Sequence, residues 1–277
     1  MRFRGKVVTL TGAAGGIGFE IARRFAEEGA IVVLSDVAAE RLAETVERIA
    51  KRFDGARGIV ADVTRPEDLA ALVETARATH GRVDVHVNNA GSLVPGIFDT
   101  ITDEEMERHI RVNLLGVMHG TRAAARVMRA QPDGGHIVNI ASLAGISPVP
   151  GAAAYAASKW GVRGFTLSCA LELRHTPVRV SSVCPDAVET PLIASAEETG
   201  ACPIVFSGGA PLSPTRVADA VLDIVERPRR EVCLPTYRGI LARLASLFPG
   251  FGDGLVSFFE EVGRKEIARR RAGGTPR

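Results

Sequence analysis

The feature that most constrains this sequence is a regular alternation of short Val- and Ile-rich runs with longer amphipathic stretches. Seven runs predict strands: Lys6–Leu10, Ile31–Ser35, Arg57–Val60, Val83–Val87, His136–Ile140, Arg179–Val183 and Glu231–Leu234. Six stretches predict helices: Ile17–Glu28, Ala38–Arg52, Pro66–His80, Asp103–Arg129, Ala153–Arg174 and Pro214–Glu226. Apolar strands separated by helices are typical of a parallel sheet covered on both faces. With right-handed crossovers, the sequence predicts an α/β, doubly wound fold.

The chain shows no internal repeat and no Ser/Gly-rich linker, so one domain is expected over residues 1–236. The segment Pro191–Pro214 interrupts the alternation with prolines and a pair of glycines. Its apolar residues favour a lid loop over a substrate pocket. Residues 237–277 predict a helical C-terminal extension with a basic tail, amphipathic over Arg238–Arg271 and broken near Phe248.

Composition and charge exclude several classes of protein. No apolar run approaches the roughly 20 residues of a membrane span, and no signal region precedes the first strand, so a cytoplasmic location is expected. The net charge is only +2 and the basic excess lies in residues 261–277, so no nucleic-acid partner is expected. The 4 Cys and 6 His lack metal-ligand spacing, so no metal site is expected.

A glycine cluster follows the first predicted strand and opens the first predicted helix. It comprises Gly12, Gly16 and Gly18, with Ile17 between the last two. Glycines let a backbone approach a pyrophosphate closely, and free N–H groups at a helix N-terminus attract phosphates. Asp36 ends the second strand at about the 20-residue spacing expected of an acid that binds an adenosine ribose. Because a carboxylate repels a 2′-phosphate and no Lys or Arg lies at 13–16 or 37–39, the sequence favours NAD over NADP.

Two more groups of predicted cofactor-binding residues follow strands. They are Asp62 and Val63 after the third strand, and Asn89, Ala90 and Gly91 after the fourth. In a doubly wound sheet, ligands bind at the carboxyl ends of the strands. Asp62 can accept a hydrogen bond from the adenine amino group, or it can serve as a helix-entry residue, and the two roles are compatible.

The strongest chemical signal is the pair Tyr155 and Lys159, one helical turn apart on one face. Tyrosine ionises near pH ~10, and a neighbouring cation lowers that pKa toward the range useful for acid–base catalysis. Ser142, after the fifth strand, can hydrogen-bond a substrate oxygen. Asn113 lies among apolar helix positions, where an amide needs partners. Its partner is a water linked to Lys159, or else Asn113 is purely structural.

These motifs, in this order and spacing, resemble those of the short-chain dehydrogenase/reductase superfamily. The matching residues are Thr11-Gly-x-x-x-Gly16-x-Gly18, Asp62-Val63, Asn88-Asn-Ala-Gly91, Asn113, Ser142 and Tyr155-x-x-x-Lys159. The resemblance covers roughly residues 6–234 and implies a single-domain Rossmann fold with a seven-stranded sheet. It also implies a homodimer or homotetramer formed through the helices around Asn113 and Tyr155.

The resemblance further implies a catalytic tetrad of Asn113, Ser142, Tyr155 and Lys159. Tyr155 would be the acid/base, and Ser142 would orient the substrate. Lys159 would lower the pKa of Tyr155 and bind the cofactor ribose, while Asn113 would hold a relay water.

One departure follows the sixth strand, where the family has Pro-Gly-x-Val-x-Thr. Pro185, Val188 and Thr190 match this pattern, and the resemblance implies that they bind the nicotinamide end of the cofactor. Asp186 replaces the glycine. Our hypothesis from the sequence is that its negative charge favours the oxidised, cationic nicotinamide.

The sequence therefore predicts an NAD(H)-dependent oxidoreductase that interconverts a secondary alcohol and a ketone by tyrosine acid/base catalysis and hydride transfer. The apolar lid and extension favour an apolar small-molecule substrate. Within the family, C=C reduction and sugar epimerisation stay open. The alternative is a catalytically silent dinucleotide-binding sensor or scaffold protein. For residues 238–271, docking on the domain, on the lid or on a sister subunit stands against a peripheral membrane contact.

Overall fold

The predicted alternation folds into one parallel sheet in the computed structural model, which describes residues 1–272. The strands are β1 (Val7–Thr11), β2 (Ile31–Asp36), β3 (Ala56–Val60), β4 (Val85–Asn88), β5 (Gly135–Ile140), β6 (Val178–Pro185) and β7 (Glu231–Leu234). Their order across the sheet is β3-β2-β1-β4-β5-β6-β7, and every neighbouring pair is parallel. The α/β, doubly wound Rossmann fold with seven strands is therefore confirmed.

Helices cover both faces of this sheet. Those in residues 1–272 are α1 (Gly16–Glu27), α2 (Ala39–Ala50), α3 (Pro66–His80), α4 (Asp103–His109), α5 (Gly116–Arg129), α6 (Ala153–Glu172), α7 (Pro191–Thr199), α8 (Pro214–Glu226), α9 (Thr236–Leu247) and α10 (Pro249–Arg271). Successive β1 side chains point to opposite faces. Val8 and Leu10 pack in a core with α1, α2 and α8, whereas Val7 packs in a second core with α3 and α5. A ligand therefore has access mainly at the ends of the strands.

The predicted helix Asp103–Arg129 contains a wider turn. After α4, residues Ile110–Leu115 form a π-helical turn that leads directly into α5. Such turns occur mostly as single-turn bulges inside α-helices, often at functional sites, and the hydrophobic period of the sequence does not reveal them. Asn113 lies in this turn.

The predicted lid loop is more regular than expected. Helix α7 occupies Pro191–Thr199, and a 3₁₀ turn occupies Pro203–Phe206. Pro191 is the first residue of α7, a position where proline favours helix formation, and the helix ends at Gly200 with φ 67°. The segment predicted as a lid loop thus contains a helix, because Pro191 at its start and Gly200 after its end are compatible with helical backbone between them. Its role as a lid stays a prediction. Leu212 bridges back to Val188, so the two ends of the lid lie side by side.

The C-terminal extension forms α9 and α10, with the break at Phe248. Helix α10 packs on the lid so closely that a Cβ at Gly263 would collide with the carbonyl oxygen of Pro203. This contact agrees with docking on the lid. Arg277, the end of the basic tail, lies outside the described residues. Within residues 1–272, every helix is too short or too polar to cross a bilayer.

Candidate active site

A cavity of about 530 Å³ lies where β1, β4, β5 and β6 end, within the usual size range of small-molecule sites. Its wall includes the predicted residues Gly12, Gly16, Ile17, Asp36, Asp62, Val63, Asn89, Ala90, Gly91, Ser142, Tyr155, Lys159, Pro185, Val188 and Thr190. Gly18 and Asn113 are buried instead. We call the part lined by residues 12–17, 36–41, 61–63 and 89–91 the dinucleotide end, and the part lined by residues 143–152, 191–205 and 238–259 the substrate end.

The glycine turn at the dinucleotide end is packed too tightly for side chains. Gly12 has φ +67°, and a Cβ there would lie 2.7 Å from the Cα of Ala90. A Cβ at Gly18 would collide with the carbonyl oxygen of Gly12. Helix α1 begins at Gly16 without a side-chain cap or an acid in its first turn. Its free N–H groups therefore fit the phosphates of a dinucleotide, and the missing side chains leave room for close approach.

Asp36 is fixed at the same end by two backbone hydrogen bonds. Its Oδ2 accepts from the N–H of Ala14 and its Oδ1 from the N–H of Ala38, both at 3.0 Å. Each oxygen keeps further acceptor capacity for ribose hydroxyls. Arg41, in the first turn of α2, also lines this end and was missed, because only positions 37–39 after Asp36 were searched for a cation.

Residues after β3 and β4 complete this end. The amide of Asn89 donates to the carbonyl oxygens of Thr11 (3.2 Å) and Gly12 (2.9 Å) and thereby ties β4 to the glycine turn. Asp62 Oδ1 accepts from the N–H of Thr64 (2.9 Å) and from its hydroxyl (2.8 Å). Asp62 is thus a helix-entry residue that also lines the cavity.

The border between the two ends is formed by Ser142, Tyr155 and Lys159. The Lys159 ammonium lies 5.7 Å from the Tyr155 ring centroid and donates to the carbonyl oxygen of Ile140 at 2.9 Å. Ser142 Oγ accepts from the N–H of Ala144 at 3.1 Å. The three polar groups line one cavity, where they can act on one substrate oxygen.

The protonation behaviour of this group differs from the sequence expectation. Burial raises the pKa of Tyr155 to about 12, and the Ser142 hydroxyl opposes the rise. Burial also lowers the pKa of Lys159 to about 8. In the protein alone, burial therefore outweighs any lowering of the Tyr155 pKa by Lys159. The expected role of Lys159 toward Tyr155 stays a prediction.

Asn113 lies behind this group and is fully buried. Its Nδ2 donates to the carbonyl oxygen of Ser92 (2.9 Å) and to Ser158 Oγ (3.1 Å), and its Oδ1 accepts from the N–H of Ser92 (2.8 Å). The Ser158 hydroxyl in turn donates to the carbonyl oxygen of Tyr155 at 2.6 Å. Asn113 therefore connects the β4 loop to the helix that carries Tyr155. Ser158 was missed, although its place inside the Tyr155–Lys159 turn was a usable signal.

His109 is a further residue that the sequence analysis missed. Its ring meets that of Tyr155 edge to face, with centroids 6.3 Å apart. Nδ1 lies 2.8 Å from the carbonyl oxygen of Glu105, and Nε2 lies 3.0 Å from the N–H of Val94. Since a carbonyl only accepts and an N–H only donates, the proton belongs on Nδ1. Burial lowers the pKa of His109, so the ring stays neutral and serves as packing for Tyr155.

Asp186 has a partner that the sequence did not reveal. Its Oδ2 lies 3.0 Å from Nη1 of Arg238 on α9, and both side chains are largely buried. The negative charge of Asp186 is thus compensated within the chain. This ion pair argues against the hypothesis that the carboxylate favours an oxidised nicotinamide. Across residues 1–272, no cluster of three or more His, Cys, Asp or Glu side chains could hold a metal ion.

Comparison with known proteins places these features in a family. The model of a family described as short chain dehydrogenase matches residues 6–200. The chain is 32% identical over 257 residues to an uncharacterized oxidoreductase, YxnA, of Bacillus subtilis, covering 92% of this chain and 72% of that protein. It is 37% identical over 189 residues to 3beta-hydroxysteroid dehydrogenase 2 of Eggerthella lenta, covering 67% of this chain and 72% of that protein.

A solved structure of an actinorhodin polyketide ketoreductase variant with NADPH superposes with a TM-score of 0.79 at 33% identity, covering 84% of this chain and 97% of that one. The glycine turn, the Tyr155–Lys159 pair and the strand order fit this likeness. The chain therefore belongs to the short-chain dehydrogenase/reductase family of oxidoreductases.

Proposed function

We propose that this protein is an NAD(H)-dependent dehydrogenase/reductase that interconverts an apolar secondary alcohol and the corresponding ketone. The observation that carries the proposal is the meeting of Ser142, Tyr155 and Lys159 in one cavity between a glycine cradle and an apolar wall. A hydroxysteroid dehydrogenase and a ketoreductase among the similar proteins support a carbonyl/alcohol reaction.

In the proposed reaction, the substrate oxygen lies between the hydroxyls of Ser142 and Tyr155. A bound oxidised nicotinamide dinucleotide supplies the hydride acceptor and a positive charge that favours the phenolate. Tyr155 then takes the hydroxyl proton of the alcohol, and in the reverse direction it donates that proton to the carbonyl oxygen. Lys159 would hold a ribose hydroxyl of the cofactor, and its ammonium adds positive charge near the phenol. His109 and Asn113 hold the Tyr155 helix in place.

The preference for NAD rests on Asp36. Its carboxylate is held toward the dinucleotide end, where a 2′-phosphate would meet a negative charge. Arg41 is the opposing group, since it lines the same end and its positive charge favours a phosphate. We expect kcat/KM to favour NAD⁺ over NADP⁺ by at least about tenfold, the scale of one charge-assisted hydrogen bond. Asp36→Ala should reduce this ratio, whereas Arg41→Ala should increase it.

The proposed substrate class follows from the substrate end. Its wall is largely apolar and includes Leu143, Val149, Leu192, Val205, Leu255 and Phe259. Burying apolar surface there contributes roughly 25 cal/mol per Å², so a bulky apolar substrate gains more than a small polar one.

The decisive experiment is a panel of secondary alcohols screened with NAD⁺ for NADH absorbance, with NADP⁺ run in parallel. Oxidation of bulky apolar members is expected. NADH binding, followed by its fluorescence, without turnover of any alcohol or ketone would favour the silent sensor or scaffold instead.

The predicted oligomer and membrane contact stay predictions. Both concern exposed apolar residues: Met106, Ile110, Leu115 and Trp160 around the tetrad helices, and Leu247, Phe248, Phe251 and Phe258 on the outer side of the extension. Sedimentation velocity checks the homodimer or homotetramer. Co-sedimentation of the full chain with anionic vesicles checks the membrane contact.

A further inference from the structure

Arg238 joins three separate parts of the substrate end. Its Nη1 lies 3.0 Å from Asp186 Oδ2, and its Nη2 donates to Ser207 Oγ at 2.8 Å. Its guanidinium lies over the Phe259 ring, 5.1 Å from the centroid. Only 10% of the side chain is exposed. One side chain of α9 therefore contacts the segment after β6, the lid and α10 at once.

Asp186 needs this partner. Its backbone N–H donates to the carbonyl oxygen of Leu234 at 2.8 Å, and its carboxylate accepts from the N–H of Ala187, which fixes the turn leading to Val188 and Thr190. Burial raises the pKa of Asp186, and Arg238 opposes that rise. Removing one member of a buried ion pair leaves an uncompensated charge. The turn and the extension thus depend on each other.

The lid backbone approaches the same guanidinium. A Cβ at Gly208 would collide with Nη1 of Arg238 and would lie 3.2 Å from Asp186 Oδ2. A side chain at 208 would therefore require the Arg238 guanidinium to move from its position beside Asp186. The pair, the lid and the Phe259 ring therefore form one packed unit at the wall of the cavity.

We propose that Arg238 and Asp186 are positioning residues that set substrate specificity, by locking the lid and the extension together as the far wall of the substrate end. The proposal rests on the proposed function for its substrate. A bulky apolar alcohol contacts this wall while its hydroxyl reaches Tyr155, whereas a very small alcohol does not reach the wall. Loss of the lock should therefore raise KM for bulky substrates much more than for small ones.

The kinetic test compares Arg238→Leu with Arg243→Leu in the full chain. Arg243 lies on the same helix and pairs with Glu231, yet it does not line the cavity, so it controls for the loss of an ion pair on α9.

The substrates are isopropanol and dehydroepiandrosterone, a hydroxysteroid, with NAD⁺. For Arg238→Leu we expect KM for the steroid to rise at least about tenfold, a modest share of what breaking a buried pair costs. KM for isopropanol should rise much less than KM for the steroid, and any change in kcat should be similar for the two alcohols, since a disturbed Asp186 turn affects both.

Two further variants separate positioning from folding. Arg238→Lys keeps the positive charge, so its KM for the steroid should return most of the way to that of the unsubstituted protein. The double variant Asp186→Gly/Arg238→Leu removes both charges, so it should recover thermal stability while the steroid KM stays high. Equal KM changes for both alcohols would overturn the proposal, as would full recovery of the steroid KM in the double variant.

Hydrogen exchange gives a readout that does not need activity. In Arg238→Leu, amides of 204–208 and 255–260 should exchange at least about tenfold faster, while those of β1 and α1 keep their protection. Arg243→Leu should leave both lid and α10 unchanged. Unchanged exchange in Arg238→Leu would contradict the proposal that Arg238 holds the lid and the extension together, even if the enzyme is active. If no alcohol is oxidised, the proposed function fails, and the exchange result still decides whether the lock exists.

Discussion

At the dinucleotide end of the cavity, the short side chains of Asn89 and Asp36 hold main-chain groups of the glycine turn, whereas at the substrate end long arginine side chains connect the lid to the extension. The glycine turn is held by the amide of Asn89 and by backbone N–H groups on Asp36. The lid is held by Arg238, Arg270 and Arg271 of the extension, across more than 30 residues of sequence. The first end thus recognises a part common to all dinucleotides, and the second can vary with the substrate.

The largest expected effect is at the border between the two ends. Tyr155→Phe should bind NADH nearly normally and lose at least ~100-fold in turnover, the lower end of the usual acid–base contribution. Stopped-flow and steady-state rates with the best alcohol of the panel measure the loss. Tyr237→Phe is the matched control, because Tyr237 is the other of the 2 tyrosines and is 59% exposed. Near-normal turnover in Tyr155→Phe would remove the acid/base role.

A single methyl group tests the claim that the dinucleotide end is built from backbone. In Gly18→Ala, the new Cβ collides with the Gly12 carbonyl oxygen, so the free energy of unfolding should fall by about 1–3 kcal/mol, the cost of overpacking. Gly164 lies in the exposed middle of α6 with open space around it. Gly164→Ala should therefore raise the free energy of unfolding by about 0.5–1 kcal/mol. Urea denaturation measures both. Equal effects would mean that the turn is not tightly packed.

The pH dependence of alcohol oxidation and carbonyl reduction tests the role of Tyr155 at the border between the two ends. Burial raises the pKa of Tyr155 to about 12, so its base form is scarce at neutral pH and increases as the pH rises. Below the pKa, the ionised fraction of a phenol rises about tenfold for each pH unit. We therefore expect kcat/KM for alcohol oxidation to rise by at least about tenfold from pH 6 to 9. Carbonyl reduction uses the protonated phenol and should not rise. Parallel profiles for the two directions would contradict this assignment.

The smallest expected effect concerns the hold of the extension on α7. Arg271 Nη2 donates to the carbonyl oxygens of Glu197 (3.1 Å) and Glu198 (2.9 Å), near the C-terminus of α7. Arg271→Ala should cost about 0.3–1 kcal/mol of local stability, as for a cation at a helix C-terminus. Hydrogen exchange of residues 192–199 should become faster while global unfolding stays unchanged. Arg264→Ala, whose ion pair with Glu260 lies within α10, should leave α7 unaffected.

Sequence reasoning worked where the chemistry is local in the chain. Gly12 to Gly18, Asp36 and the Tyr155–Lys159 turn each lie within one turn or at one strand end, so spacing along the chain predicts their neighbourhood. It could not find His109 or Arg238, because their partners are many residues away and no period marks them. It also did not reveal that burial raises the pKa of Tyr155, since the cost of burial depends on the whole cavity wall.

The ion pair at the far wall also restricts the order in which its members can have arisen in the ancestry of this chain. An acid at 186 without Arg238 is a buried carboxylate that lacks a counter-charge. An arginine at 238 without Asp186 is a buried cation that lacks one. A bulkier residue at 208 would displace the Arg238 guanidinium. Among descendants of a common gene, these three positions should therefore covary, and a homologue with glycine at 186 should lack the arginine of α9.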